Sequence, residues 1–152
     1  NQVQPDIALF GEKDFQQLAV IRAMARDLDL TAPHVNAIIG VPTVREPDGL
    51  AMSSRNRYLT PGQRSAAAAL PRAMQAAVVA LTDGADVAQT LEALEAALLA
   101  ADFSRVDYAA LADSASLAPL KALGSAPARL LVAARIGGTR LIDNIAVPPQ
   151  SQ

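Results

Sequence analysis

The 152-residue chain has no cysteine, which excludes disulfides, thiolate zinc sites and a cysteine nucleophile. This composition is typical of a reducing compartment, and we expect a cytoplasmic protein. Aromatic residues make up only 3% of the chain, so the core must be built from Ala, Leu, Val and Ile. No apolar run reaches the ~18–20 residues of a membrane-spanning helix, so we expect no membrane partner.

Several nucleotide and metal signatures are also missing. The net charge is −2, and there is no basic run or row of aromatics, so we expect no nucleic-acid partner. Neither G-x-x-x-x-G-K-[ST] nor G-x-G-x-x-G occurs. No cluster of metal ligands is visible, so we expect no metal held by the protein. The single histidine, His34, lies beside Asn36 in a proline-containing segment, which favours a surface loop over catalysis.

The first part of the chain reads as strand, helix, strand. Residues 7–10 are a short apolar run closed by Gly11, which predicts a buried strand. Residues 37–41 form a second such run. Between them, apolar side chains recur at helical spacing, at Phe15, Leu18, Ile21, Ala25 and Leu28. Arg22, Arg26, Asp27 and Asp29 fit the solvated face and end of this helix. This spacing predicts a βαβ unit with parallel strands.

The middle of the chain is a loop followed by helix. Residues 44–56 are loop-like around a Pro47-Asp48-Gly49 turn. Thr60 is a candidate N-cap, with Pro61 at the first helical position. An Ala-rich helix should continue to about residue 81, with a kink or restart at Pro71.

The remainder predicts one more helix and a small sheet. Asp83-Gly84 ends the first helix, and a second amphipathic helix covers residues 87–101. Strands are predicted at 106–112, 130–136 and 140–147. The last two flank Gly137-Gly138, a signal for a β-hairpin. We therefore expect an α/β chain: a parallel-sheet part at 1–58, then a small α+β domain at 59–152 with two helices and an antiparallel sheet.

The first candidate ligand loop joins the first strand to the first helix. Ligands of open α/β sheets bind beyond the carboxyl ends of the strands, and a helix N-terminus there attracts anions. Lys13 adds a cation, Asp14 could accept from ribose hydroxyls, and Gln17 could bond a carboxylate or hydroxyl. The alternative is that Asp14 and Gln17 form a capping box and Lys13 is solvated.

The second candidate loop offers Ser53, Ser54 and Arg55 in succession. Two hydroxyls and a guanidinium can hold phosphate oxygens, with arginine making paired bonds. The alternative is an ordinary exposed polar turn.

Longer strings resemble one family. The segments VQPD at 3–6, GEKDFQQL at 11–18 and GVPTVREPDGLAMSSRNRYL at 40–59 are similar to the pantothenate synthetase (pantoate–β-alanine ligase) family. The tail 130–145, with RLIDN at 140–144, is similar to the end of that family. The resemblance covers essentially the whole chain.

This resemblance implies a nucleotidyltransferase-like, Rossmann-like fold related to class I aminoacyl-tRNA synthetases. It also implies that pantoate is activated by ATP with magnesium to pantoyl adenylate, and that β-alanine then attacks to give pantothenate and AMP. The substrates implied are pantoate, β-alanine and ATP, and a homodimer is implied for the complete enzyme.

The resemblance also assigns residue roles. It implies that Lys13 contacts ATP phosphates, that Gly11 and Asp14 contact the ribose, and that the backbone of Val44 lies near adenine. Gln17 would bind pantoate. Met52, Ser53, Ser54 and Arg55 would form the family's version of the synthetase KMSKS loop. The catalytic set implied is Lys13, Ser53, Ser54 and Arg55.

Two departures from the family pattern stand out. The family's H-x-G-H motif is absent, and the chain opens without Met, so we expect a C-terminal portion that is inactive alone. Residues 31–36 look like a short surface-loop insertion. Two other hypotheses stay open: a non-catalytic or weakly nucleotide-binding module, and a ligase of the same fold for another hydroxy acid.

Overall fold

The computed structural model describes residues 2–149 and divides the chain into two compact units. The first unit ends at Val44 and the second begins at Arg45. The sequence prediction places residues 45–58 in the first domain. In the structure, Arg45 binds Asp143 and Glu46 accepts from Arg64, and all four residues belong to the second unit. The domain boundary at residue 58 stays a prediction.

The first unit is the predicted βαβ element. Strand β1 (Ala8–Gly11) is followed by helix α1 (Phe15–Asp27) and strand β2 (Ile38–Val41). The two strands pair in parallel, from Ala8 opposite Ile38 to Gly11 opposite Val41. A small core joins the helix to the sheet, and its buried members are Leu18, Ala25 and Ile38.

Helix α1 differs from the sequence prediction in two details. Asp14 stands at the N-cap position, but within the described residues its side chain makes no capping hydrogen bond. A 3-10 turn, Glu12–Asp14, precedes the helix and replaces the predicted capping box. Arg22 is not simply solvated, because its Nε and Nη2 donate to the Ile38 carbonyl at 3.2 and 3.1 Å. This bond ties α1 to β2.

The segment between α1 and β2 is a folded turn on the surface. His34 is exposed, and its Nδ1 accepts a hydrogen bond from the Asn36 N–H at 3.2 Å. A 3-10 helix, Val35–Ala37, leads into β2. The imidazole thus caps a short helix at the surface.

In the second unit, the α-helices follow residues 45–60. Helix α2 covers Pro61–Ala67, α3 covers Ala69–Thr82 and α4 covers Val87–Ala100. The chain breaks at Ala68 rather than at Pro71 itself. Proline lacks an N–H and its ring crowds the carbonyl four residues earlier, here that of Ala67, so the disruption falls before the proline.

An antiparallel sheet completes this unit. Strands β3 (Arg105–Asp113), β4 (Ala128–Ile136) and β5 (Thr139–Val147) lie in chain order. Gly137 and Gly138 form the β4–β5 turn with φ of 54° and 82°, so both central positions need the left-handed region that glycine adopts readily. The predicted hairpin is confirmed.

The main core lies between the helices and one face of this sheet. Helix α3 packs against α4 and β5, and α4 packs against β3. The largest fully buried core side chains include Leu70, Met74, Leu81, Leu98, Leu111, Leu130, Val132, Ile136 and Val147. The α/β class and the order of a parallel pair, helices and an antiparallel sheet are confirmed.

No helix in residues 2–149 is long and apolar enough to cross a membrane.

Candidate ligand-binding site

The carboxyl edge of the parallel pair carries the first candidate loop. Gly11 lies opposite Val41 at the ends of β1 and β2, so the turn after Gly11 and the segment 42–44 leave the sheet from one edge. The predicted residues Lys13, Asp14 and Val44 follow these two strand ends directly. This is the edge where parallel sheets bind ligands.

The Asp14 side chain at this edge does not cap helix α1. Asp14 and Gln17 are both exposed, and Lys13 is partly buried in the 3-10 turn. Because Asp14 makes no capping bond, the capping-box alternative does not account for this acidic side chain.

Two glycines shape the edge in different ways. Gly11 has an ordinary φ of −66°, and a Cβ built on it would meet nothing within 4 Å, so space is open beside its backbone. At Gly40 a Cβ would lie 2.8 Å from the Glu12 carboxylate and 3.0 Å from the Leu18 side chain. Gly40 therefore lets the turn after β1 fold tightly against β2, a requirement that sequence inspection missed.

The second candidate loop is in the other unit and is more ordered than predicted. Residues 54–58 form a 3-10 helix, Ser54–Tyr58, and the Ser53 hydroxyl accepts from the Arg55 N–H at 3.2 Å. The loop prediction over 44–56 was wrong for its last residues, because Ser53 caps this turn. A hydroxyl that accepts one bond still has its own hydrogen to donate. Ser54 and Arg55 are exposed.

A partly buried ion pair holds the segment that leads into this loop. The Asp143 side chain has no exposed surface, and Arg45 binds both its oxygens at 2.7 and 2.9 Å. Arg45 Nη1 also donates to the Gly49 carbonyl. The hydrogen bond to Asp143 is the main cause that raises the pKa of Arg45. The pair thus fixes the 45–51 turn to strand β5.

A second cation fixes the acidic side of the same turn. Arg64, on α2, donates to Glu46 and to Asp48, each at 2.6 Å. The hydrogen bond from Arg64 is the first cause that lowers the pKa of Glu46, followed by the bond from Asn56. The pKa of Asp48 is lowered chiefly by Arg64 as well. Both carboxylates therefore stay ionised at neutral pH.

The sequence analysis did not predict the ion pairs of Arg45 and Arg64. Arg45 pairs with a residue 98 positions away, and Arg64 with residues 16 and 18 positions away. No periodicity or cap rule links residues at these separations. The only local indication of an ion pair in the sequence is that two acidic residues, Glu46 and Asp48, flank Pro47.

The described residues hold no group of three or more His, Cys, Asp or Glu side chains that could bind a metal ion. Lys13 and Asp14 follow the end of β1 at Gly11, Val44 follows the end of β2, and Gln17 lies one turn along α1. Met52, Ser53, Ser54 and Arg55 form a continuous segment in the second unit.

Comparison with known proteins gives the family. The model of the family "Pantoate-beta-alanine ligase" matches residues 1–146. The chain is 62% identical to the pantothenate synthetase of Novosphingobium aromaticivorans over 150 residues, covering 99% of this chain and 52% of the relative. It is 61% identical to that of Sphingopyxis alaskensis, covering 97% and 51%. The chain thus spans about half the length of these relatives.

Solved structures agree with this similarity. The pantothenate synthetase of Thermus thermophilus matches with a TM-score of 0.84 at 48% identity, over 97% of this chain and 51% of that one. The pantoate–β-alanine ligase of Francisella tularensis, solved in complex with β-γ ATP and β-alanine, matches with a TM-score of 0.66 at 27% identity, over 93% and 44%. This chain belongs to the pantoate–β-alanine ligase family.

Proposed function

We propose that this chain is the C-terminal part of an ATP-dependent ligase that joins pantoate to β-alanine through pantoyl adenylate. The observation that carries the proposal is the carboxyl edge of β1 and β2, where Gly11, Lys13, Asp14 and Val44 follow two adjacent strand ends. The chain's family membership supplies the reaction class.

In the proposed first step, a pantoate carboxylate oxygen attacks the α-phosphorus of ATP, and the bond to the bridging oxygen breaks to release pyrophosphate. Lys13 and Arg55 neutralise the charge that grows on the departing phosphates, while Ser53 and Ser54 donate hydroxyl hydrogens to phosphate oxygens. Gln17 orients pantoate, and the open space beside Gly11 admits the ribose next to Asp14.

In the proposed second step, the β-alanine amine attacks the acyl carbon and AMP leaves. The amine loses a proton as the amide forms. No covalent bond to the protein is required, so the absence of cysteine is consistent with the reaction. Catalysis rests on positioning and on charge stabilisation.

Magnesium enters this proposal with ATP. The described side chains do not form a carboxylate site of their own for it, so the nucleotide phosphates would be its main ligands. No step of the proposal depends on a protein-held ion.

The test is pyrophosphate release from ATP and pantoate by the complete protein with Lys13→Ala or Arg55→Ala. Each change should lower the rate by ~10²–10³, the usual cost of removing one donor to developing charge. Arg26→Ala and Arg57→Ala, exposed cations of α1 and of the 3-10 helix, are the matched controls and should retain activity. Unchanged turnover in both test variants would overturn the proposal.

Whether Lys13 and Arg55 act on one triphosphate can be tested by the double variant. If both bind the same group, their effects on the rate should be coupled rather than additive. A complete protein that turns over another hydroxy acid, and is not saturated by pantoate, would instead support a ligase of different specificity.

A further inference from the structure

The segment Met52–Arg55 is closed at its two ends by one side chain. Asn56 follows the segment directly, and its Nδ2 donates to the Ala51 carbonyl, just before the segment, at 3.2 Å. The same Nδ2 donates to Glu46 Oε1 at 2.8 Å. The amide group therefore closes a loop around the four residues assigned to the ATP phosphates.

The partner of Asn56 is itself held in place. Glu46 uses Oε1 for Asn56 and Oε2 for Arg64, so its carboxylate bridges the two side chains. Arg64 lies in α2, whose first turn is fixed by a capping box between Thr60 and Gln63. The position of residues 52–55 is thus tied to the start of a helix through three hydrogen-bonded side chains.

The oxygen of the same amide is unusual. Asn56 Oδ1 is buried, and no hydrogen-bond donor reaches it within residues 2–149. Leaving a buried acceptor without a partner commonly costs about 1–3 kcal/mol. Most buried acceptors in native structures have a donor, so this oxygen is an exception among buried polar groups.

We propose that Asn56, through Glu46 and Arg64, is a positioning residue that sets the conformation of Ser53–Arg55 for the ATP phosphates. This inference rests on the proposed function. Asn56 and Arg64 do not contact the substrate in this proposal; they hold the segment that does. Misplacement of reacting groups by about 1 Å can cost ~10² in rate, so a loosened loop should slow adenylation measurably.

The experiment compares the two half-reactions in the complete protein carrying Asn56→Ala. Pyrophosphate release should slow by about 10-fold or more, with a raised KM for ATP. Transfer of a supplied pantoyl group from pantoyl adenylate to β-alanine should keep its rate. A merely structural role would instead lower both half-reactions together, because less protein would be folded.

Arg64→Lys is the second variant. Lysine keeps the charge but cannot span Glu46 and Asp48 with a fork, so it should reproduce part of the Asn56→Ala defect. The double variant Asn56→Ala/Arg64→Lys should be little worse than Asn56→Ala, since both act through Glu46. Asn36→Ala and Arg72→Lys, at positions outside this network, are the matched controls.

The outcomes separate this inference from the proposed function. If Arg55→Ala is impaired but Asn56→Ala and Arg64→Lys release pyrophosphate at the parental rate, the positioning role is wrong and the ligase proposal stands. If Arg55→Ala and Lys13→Ala are both unimpaired, the proposed function fails first. Equal loss in both half-reactions would also overturn the positioning role.

Discussion

At the residue scale, Asp143 is a buried carboxylate that needs a counter-charge, because its side chain has no exposed surface. Its carboxylate accepts hydrogen bonds from both Nη groups of Arg45 and from the N–H of Asn144. A buried charge in this state is stable only while its partner is present.

We expect Arg45→Met to lower the free energy of unfolding by about 3 kcal/mol, because the substitution leaves the buried carboxylate without a counter-charge. Urea unfolding of this chain measures the change. Arg45→Met/Asp143→Leu, which removes both charges, should recover most of the loss. A loss below about 0.5 kcal/mol for Arg45→Met would show that Asp143 does not depend on this pair.

Asp107 predicts a pH dependence. Hydrogen bonds from Arg140, and then from Arg135, lower the pKa of Asp107. Because the folded pKa is below the unfolded value of about 4, the stabilisation is complete above that value and is lost as the pH falls through the folded pKa. Asp107→Asn should therefore lower Tm at neutral pH, and the difference from the parent should shrink below about pH 4.

Thermal unfolding as a function of pH checks this expectation. Asp83→Asn, at an exposed carboxylate just after α3, controls for the loss of one negative charge. A difference between Asp107→Asn and the parent that grows as the pH falls would contradict the sign.

Single residues also show where sequence reasoning reaches its limit. Thr60 was predicted as a cap because Pro61 follows it at the first helical position, and the structure confirms the cap and adds Gln63 as its capping-box partner. Asp14, predicted to cap α1 with Gln17 three residues later, makes no capping bond, and a 3-10 turn precedes the helix. The Glu46–Arg64 and Arg45–Asp143 pairs could not be predicted, since only the tertiary fold brings these residues together. The ligand roles of Lys13, Gln17 and Arg55 stay predictions.

At the scale of elements, the β4–β5 turn and the start of α2 are physically coupled. A Cβ on Gly137 would clash with the side chain of Gln63, the residue that completes the capping box. A Cβ on Gly138 would meet nothing within 4 Å. Both glycines have a positive φ, so a side chain would strain the backbone at either position. They differ in that only a Cβ at Gly137 would also meet another side chain.

We expect Gly138→Ala to cost about 1 kcal/mol of unfolding free energy for the left-handed backbone alone. Gly137→Ala should cost about 1 kcal/mol more, because it also displaces Gln63 from the cap. Urea unfolding of both variants, repeated with Gln63→Ala, measures the coupling. Equal costs at the two glycines in the parental background would contradict it.

Elements were predicted well where their signal is local. Apolar runs, most of them bounded by Gly or Pro, predicted the strands, and apolar residues at helical spacing predicted the long helices. The predicted ends lie within a few residues of the observed ones. The prediction was less accurate at the helix break, which falls at Ala68 before Pro71, and at residues 54–58, where Ser53 caps a 3-10 helix instead of lying in an open loop. The 3-10 helices have only three to five residues, which is too short for a hydrophobic periodicity that would predict them.

At the scale of the whole molecule, the two units differ in how much they bury. Among residues 2–44, the core of the first unit has three buried side chains, Leu18, Ala25 and Ile38. The second unit packs its helices against a three-stranded sheet around many more. Local stability follows buried apolar contact, so the units should open with different free energies.

We expect native-state hydrogen exchange of this chain to show faster amide exchange in β1, α1 and β2 than in β4. The first-unit amides should lose protection at lower urea than those of Leu130 and Val132, whose side chains are buried in the larger core. Equal protection in both units at all urea concentrations would show that they unfold as one cooperative body.

The outer edges of β1 and β2 bear on the solubility of this chain. Within the described residues β1 and β2 pair only with each other, so each strand keeps an outer row of backbone donors and acceptors. Leu9 and Ile39 are 64% and 44% exposed on these strands. Open, apolar strand edges are templates for adding a strand from another molecule. Concentrated samples of this chain should therefore self-associate through residues 8–11 and 38–41, and Leu9→Lys should raise the solubility limit.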